Sequence, residues 1–331
     1  MKWIFRGLLA LAGLVIVLVT GFVAIHWQND IPLDALTDQW AQPPSEFIDV
    51  NGQYTHIRDE GPQNDPVPLV LLHGTSASLH TWDGWTAALN GQHRVIRFDL
   101  PGFGLTGPRK DNNYSKEAYV NFVMSVLDAK GVDRFVLAGN SLGGNIAWTT
   151  AADFPERVQA LILVDSAGYP FQATSVPLAF RISQTPVLNQ IMKNVLPRSI
   201  VKSSVENVYG DPARVTPELV DRYYDLAARE GNRAALRARF EQLHPADDID
   251  RIRTIQQPTL VLWGAKDQLI PPRNAELFAR DLPNNEVVIF DDLGHVPHEE
   301  DAVLTVAAVQ AFLHKHESQV FRNNELHTVR F

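Results

Sequence analysis

Three residues of this 331-residue chain could together carry out nucleophilic acyl transfer: Ser141, Asp267 and His295. A serine hydroxyl is a weak nucleophile near neutral pH. It needs a base to take its proton, and the base needs a carboxylate to hold its tautomer. Ser141 lies in Gly139-Asn140-Ser141-Leu142-Gly143-Gly144. Phe135 to Ala138 reads as a buried strand and Leu142 to Ala152 as a helix, which puts Ser141 on a sharp strand-to-helix joint. Side chains two before and two after that serine would crowd the crossing strand and helix. Gly139 and Gly143 relieve that crowding, and Gly144 adds packing room. Helix amides then lie beside the hydroxyl, where an oxyanion can collect charge.

The base and its carboxylate come from the C-terminal third. Pro258 to Gly264 is a strand signal, and Asp267 follows it. Val287 to Phe290 is another, and Gly294-His295 follows that one. Both groups therefore sit just past strand ends, in the chain order Ser, Asp, His. Asp165, which follows the strand Val158 to Val164, is the alternative acid.

A further strand, Leu69 to Leu72, ends in His73-Gly74-Thr75-Ser76. Small residues at a strand end can turn an amide toward the serine, so the amides of Thr75 and Leu142 are the expected oxyanion pair. His73 and Gly74 are expected to support that loop, as Gly139, Gly143 and Gly144 support the serine turn. Ser76, His80, Trp82 and Asn140 are candidate pocket residues. Asp99, in Asp99-Leu-Pro-Gly-Phe-Gly104, is expected to fix a turn. His295 and His298 stand three apart with no acidic metal motif at a known spacing, so no metal site is expected.

Stepping outward, strands that are nearly continuous in apolar residues alternate with helical patterns. That implies an α/β fold with a mostly parallel sheet covered by helices on both faces. Phe47 to Val50 and Gln53 to Arg58 form a hairpin across Asn51-Gly52. Leu219 to Phe240 reads as one long helix, and Glu299 to Lys315 as a closing helix packed by Val303, Val306, Val309 and Leu313. Residues 168–252 break the rhythm with Pro170, Pro177, Pro186, Pro197, Pro212 and Pro217 and no convincing strand, and are expected to be a helical cap over the active face. Its Leu178 to Leu196 stretch is apolar, with Arg181, Lys193, Arg198 and Lys202 nearby, and could meet lipid. The expected division is 1–28 transmembrane anchor, 29–46 membrane-proximal linker, 47–167 with 253–316 core, 168–252 cap, and 317–331 tail.

The N-terminus differs from the rest. Leu8 to Ile25 is uncharged and mostly apolar, and its eighteen residues span roughly 27 Å as a helix, close to a bilayer core. Lys2 and Arg6 precede it, and Asp30, Asp34 and Asp38 follow. The basic flank predicts a single-pass inner-membrane helix with the globular part on the periplasmic side; a cleaved signal peptide is the alternative. Gly7, Gly13 and Gly21 offer faces through which two such helices could pair. Net charge is −9, which argues against nucleic-acid binding, and the absence of cysteine excludes disulfides and thiol catalysis.

From about residue 47 to 316 the chain resembles the α/β-hydrolase superfamily. The His73-Gly74 loop, the Asp99 to Gly104 turn, the Gly139 to Gly144 elbow, Asp267 and Gly294-His295 carry the resemblance. The His73 to Trp82 loop looks like that of bacterial esterases and lipases, some of them membrane-anchored and active on phospholipids. The elbow is also similar to that of hydrolases cleaving carbon–carbon bonds in aromatic ring-fission products. The resemblance implies a cofactor-free serine hydrolase acting on lipid-like or medium-chain esters, phospholipids included. A carbon–carbon hydrolase, with Arg181 or another cap base meeting a carboxylate, is the alternative. A haloperoxidase or a non-catalytic binding protein is less favoured.

Overall fold

The computed structural model describes residues 2–185, 193–242 and 248–321. His327, most of the 317–331 tail, and residues 186–192 of the apolar stretch lie outside the described residues. Eight strands form one sheet in the order β1-β2-β4-β3-β5-β6-β7-β8. β1 (Glu46–Val50) and β2 (Gln53–Glu60) make the expected antiparallel hairpin, with Asn51 and Gly52 both at positive φ. β2 also runs antiparallel to β4 (Val95–Phe98). The remaining strands are parallel: β3 (Leu69–Leu72), β5 (Phe135–Asn140), β6 (Val158–Val164), β7 (Thr259–Gly264) and β8 (Asn285–Phe290).

β3, β4, β5 and β7 are buried at every residue, as expected of strands covered on both sides. One apolar cluster joins Leu137 and Leu161 to the helices Lys116–Ala129 and Leu142–Asp153. A second joins Val136 and Ile162 to Trp85 and the helix Ala302–Lys315 on the other face.

Between β6 and β7 the chain forms the helices Leu178–Gln184, Arg198–Val208, Pro217–Ala228 and Asn232–Glu241, with no strand among the described residues. The single helix expected over Leu219 to Phe240 is instead two. The break runs over residues 229–231: Arg229 leaves the helical region with ψ 136°, and Gly231 has a left-handed φ of 83° before the next helix begins. The closing helix is also interrupted, at Asp301 (φ −145°), whose side chain caps the Leu304 amide. Val303 is 85% exposed rather than packed. The buried face carries Thr305, Val309 and Phe312, and at about 100° per residue Val303 points well away from it.

The N-terminal helix Lys2–Ile25 contains a 23-residue segment, Trp3–Ile25, that is long and apolar enough to cross a membrane and has no residue buried by the other described residues. The segment after it, expected as a linker, docks on the helical insertion. Gln28 N donates to Asn194 O (2.8 Å), Ile31 N to Ala228 O (2.8 Å), and Trp40 Nε1 to Asp225 (3.0 Å).

Candidate active site

Ser141 sits between β5 and the helix Leu142–Asp153 with φ 54° and ψ −112°, a strained conformation for a residue with a side chain. The surroundings hold it there. Its amide donates to Val164 O (3.1 Å), and its carbonyl accepts from Asn145 N and Ala167 N (both 3.0 Å). The glycines are required by close approach: a Cβ on Gly139 would overlap the Gly143 carbonyl, and one on Gly143 would overlap the Leu72 carbonyl at the end of β3.

His295 and Asp267 meet. His295 Nδ1 donates to Asp267 Oδ2 at 2.7 Å, leaving Nε2 as the acceptor nitrogen. The other carboxylate oxygen of Asp267 accepts from the amides of Leu269 (2.8 Å) and Ile270 (3.0 Å), which fixes its plane. The imidazole is therefore oriented by a carboxylate that is itself anchored to backbone. Ser141 and His295 line one cavity, and no hydrogen bond joins their side chains.

Asp165 is the nearest competitor. Its side chain is buried, one oxygen accepts from Gly264 N (3.0 Å), and the other finds no partner among the described residues. Burial and the adjacent Asp267 charge push its carboxyl well above the usual range, which disfavours its charged form. Asp165, Asp267 and His295 place ligand-type atoms within 4.8 Å of one another. However, Asp267 and His295 are bonded to each other, so they orient an imidazole rather than converge on an ion.

The amides of Thr75 and Leu142 donate to no protein acceptor among the described residues. Thr75 lines the cavity with Gly74, Ser76 and Asn140. His73 supports this loop from below. Its Nδ1 donates to Gly74 O (2.8 Å) and its Nε2 accepts from Leu100 N (2.9 Å), so both ring nitrogens are used. Asp99 accepts from Leu79 N and Leu105 N (both 2.7 Å) and from His56 (2.8 Å), in keeping with its expected role at a turn.

Two expected pocket residues lie elsewhere. His80 is buried against Trp40 O (2.8 Å) and Ser78 (3.0 Å), and burial drives its pKa down to about 3. Trp82 is fully buried, packed on Trp85 and His298. Neither lines the cavity that holds Ser141. Arg181 is also absent from the cavity wall.

No local pattern marks Glu300 as part of the site. Its carboxylate accepts from Gly294 N (2.8 Å), Gly210 N (2.9 Å) and Asp211 N (2.8 Å), tying the His295 loop to the insertion. In sequence it is one of two glutamates at a helix start, and only the fold reveals its partners.

The cavity holds about 1150 Å³ of empty space, part of it continuous with solvent. Ser141 and His295 form its floor, and Phe180, Leu196, Val201, Val205 and Leu236 from the insertion form apolar walls.

A family model described as alpha/beta hydrolase fold matches residues 67–302. A lipase of Psychrobacter immobilis is 30% identical over 74% of this chain and 76% of its own. A 2-hydroxymuconate semialdehyde hydrolase of Pseudomonas putida is 29% identical over 79% and 91%. Among solved structures, a bacterial membrane phospholipase A superposes with TM-score 0.70 at 26% identity, covering 96% of this chain and 99% of that one.

Proposed function

The chain belongs to the alpha/beta-hydrolase family and is a hydrolase of the serine type, and on that footing we propose that it cleaves carboxylic esters of lipid-like or medium-chain acids. The observation that carries this reading is the apolar-walled cavity with Ser141 and His295 at its floor. In the proposed cycle, His295 Nε2 takes the Ser141 proton as the oxygen attacks the ester carbonyl. Asp267 holds the tautomer and balances the imidazolium charge. The free amides of Thr75 and Leu142 receive the oxyanion, each worth roughly 3 kcal/mol to the transition state. The alcohol leaves with the proton from His295, and water repeats the sequence on the acyl-enzyme.

The reading extends to placement. Trp3–Ile25 would anchor the chain in the inner membrane with the catalytic part outside the cytoplasm, as the Lys2 and Arg6 flank suggests. Residues 168–252 would act as the cap. The 96% coverage by a membrane phospholipase A, which extends beyond the hydrolase domain, supports this placement.

A second reading has its own support. The 2-hydroxymuconate semialdehyde hydrolase is as similar to this chain as the lipase is, which favours carbon–carbon hydrolysis of a ring-fission product. A panel separates the two: p-nitrophenyl esters of graded chain length, glycerophospholipids, and a ring-fission dienoate, each with wild type and Ser141→Ala. Turnover of the dienoate with no turnover of any acyl ester would reject the ester reading.

A further inference from the structure

Beyond its apolar walls the cavity has a cationic side. Arg233 and Arg237 stand four residues apart on the helix Asn232–Glu241, hence on one face, and both line the cavity that holds Ser141. The Arg233 side chain is 10% exposed. Its Nη2 donates to Gln28 O (2.9 Å) and pairs with Asp30, but Nε and Nη1 have no acceptor among the described residues. Arg237 Nε lies 3.6 Å from Glu241, an ion pair beyond hydrogen-bond reach, so this buried donor also lacks a hydrogen-bond acceptor. Buried donors are normally satisfied, and guanidinium groups left with spare N–H groups suit a tetrahedral or planar oxyanion. Lys193, exposed at the same cavity, adds a third positive charge.

The position of this group narrows the ligand. Arg233 is held by Gln28 and Asp30, three and five residues past the end of the membrane-length helix at Ile25. At no more than about 3.6 Å per residue, the cationic side lies within roughly 18 Å of that helix end along the chain. A helix seated in a bilayer therefore holds this side of the cavity near the depth of lipid phosphates. We propose that Arg233 and Arg237 form a subsite for the phosphate of a lipid ester, with the acyl carbonyl delivered to Ser141. The proposal rests on the ester-hydrolase reading and names its substrate class.

Binding tests it without requiring turnover. Full-length chain in neutral detergent is titrated calorimetrically with two non-hydrolysable ether lipids of one alkyl length, 1-alkylglycerol 3-phosphate and 1-alkylglycerol, and with free glycerol 3-phosphate. The phosphate lipid is expected to bind at least tenfold more tightly than the neutral one. That advantage should shrink at least fivefold in Arg233→Gln and in Arg237→Gln. Arg237→Gln touches neither Gln28 nor Asp30, so it is informative even if Arg233→Gln loosens the N-terminal segment. Equal binding of the two lipids, or an advantage that survives in both variants, overturns the subsite. Binding of free glycerol 3-phosphate as tight as that of the phosphate lipid overturns the lipid source. Because no ester is cleaved, loss of the ester reading would show separately, as absent hydrolysis in the substrate panel.

Discussion

Asn140 Nδ2 donates at 2.9 Å to the carbonyl of His295, which lies 155 residues further along the chain. The same nitrogen donates to Val164 O at 3.1 Å. Asn140, the last residue of β5, thus fixes the backbone of the proposed base and ties it to Val164 at the end of β6. Removing the amide leaves two buried carbonyls without this donor. Asn140→Ala should lower kcat about tenfold, roughly 1.4 kcal/mol in barrier, and lower Tm by several degrees. Steady-state kinetics and a melting curve check both. Unchanged kcat in a folded variant would mean that His295 is positioned by other contacts.

The two buried aspartates should part sharply on substitution. Asp267→Asn removes the charge that faces His295 Nδ1 and favours the wrong tautomer, so kcat should fall by about 10⁴. Asp165 accepts from Gly264 N and makes no bond to His295, so Asp165→Asn should stay within about threefold of wild type. Kinetics on both variants decides. A severe loss in Asp165→Asn with a mild one in Asp267→Asn would exchange their roles.

Gly143→Ala should be costly although the change is one methyl group. The added Cβ meets the Leu72 and His73 carbonyls, which are backbone and cannot move aside. About 1–3 kcal/mol of stability should be lost, read as a drop in the urea midpoint at unchanged m-value. A wild-type midpoint would contradict the close approach of β3 to the elbow helix.

Stability should fall on mild acidification. Burial lowers the pKa of His73, His80 (to about 3) and His298, so these rings stay neutral in the folded chain. The unfolded chain binds their protons once pH drops below about 6.5, and it alone does so until the folded pKa values are reached. Stability is therefore greatest above about 6.5 and declines toward pH 3. His80 costs about 1.4 kcal/mol per pH unit between about 6.5 and 3, and His73 and His298 act in the same direction. Thermal melts between pH 7.5 and 4.5 should show a steep fall. A flat profile over that range would contradict neutral burial of the three histidines.

Much of this architecture was legible in the sequence because its signals are local. β3, β5 and β7 are short apolar runs, and Asn51-Gly52 has one good backbone solution. The Asp267–His295 pairing was also readable, since both residues follow strand ends on one side of the sheet. The unread parts depend on tertiary context. His80 and Trp82 occupy a loop beside the site, but nothing local says that they turn inward. Gly231 divides a continuous helical pattern, and a glycine inside such a pattern does not announce its φ. Glu300 shows its role only once the insertion packs on the His295 loop, and Arg233 and Arg237 only once their helix faces the cavity.

The most direct measurement is covalent labelling of Ser141. Full-length chain is treated with a fluorophosphonate, digested, and mapped by mass spectrometry while hydrolysis of a medium-chain p-nitrophenyl ester is followed. One adduct on the Ser141 peptide, with hydrolysis lost in proportion, is the predicted result, and Ser141→Ala should show neither adduct nor turnover. An adduct on another residue, or hydrolysis that persists in Ser141→Ala, would contradict Ser141 as the nucleophile.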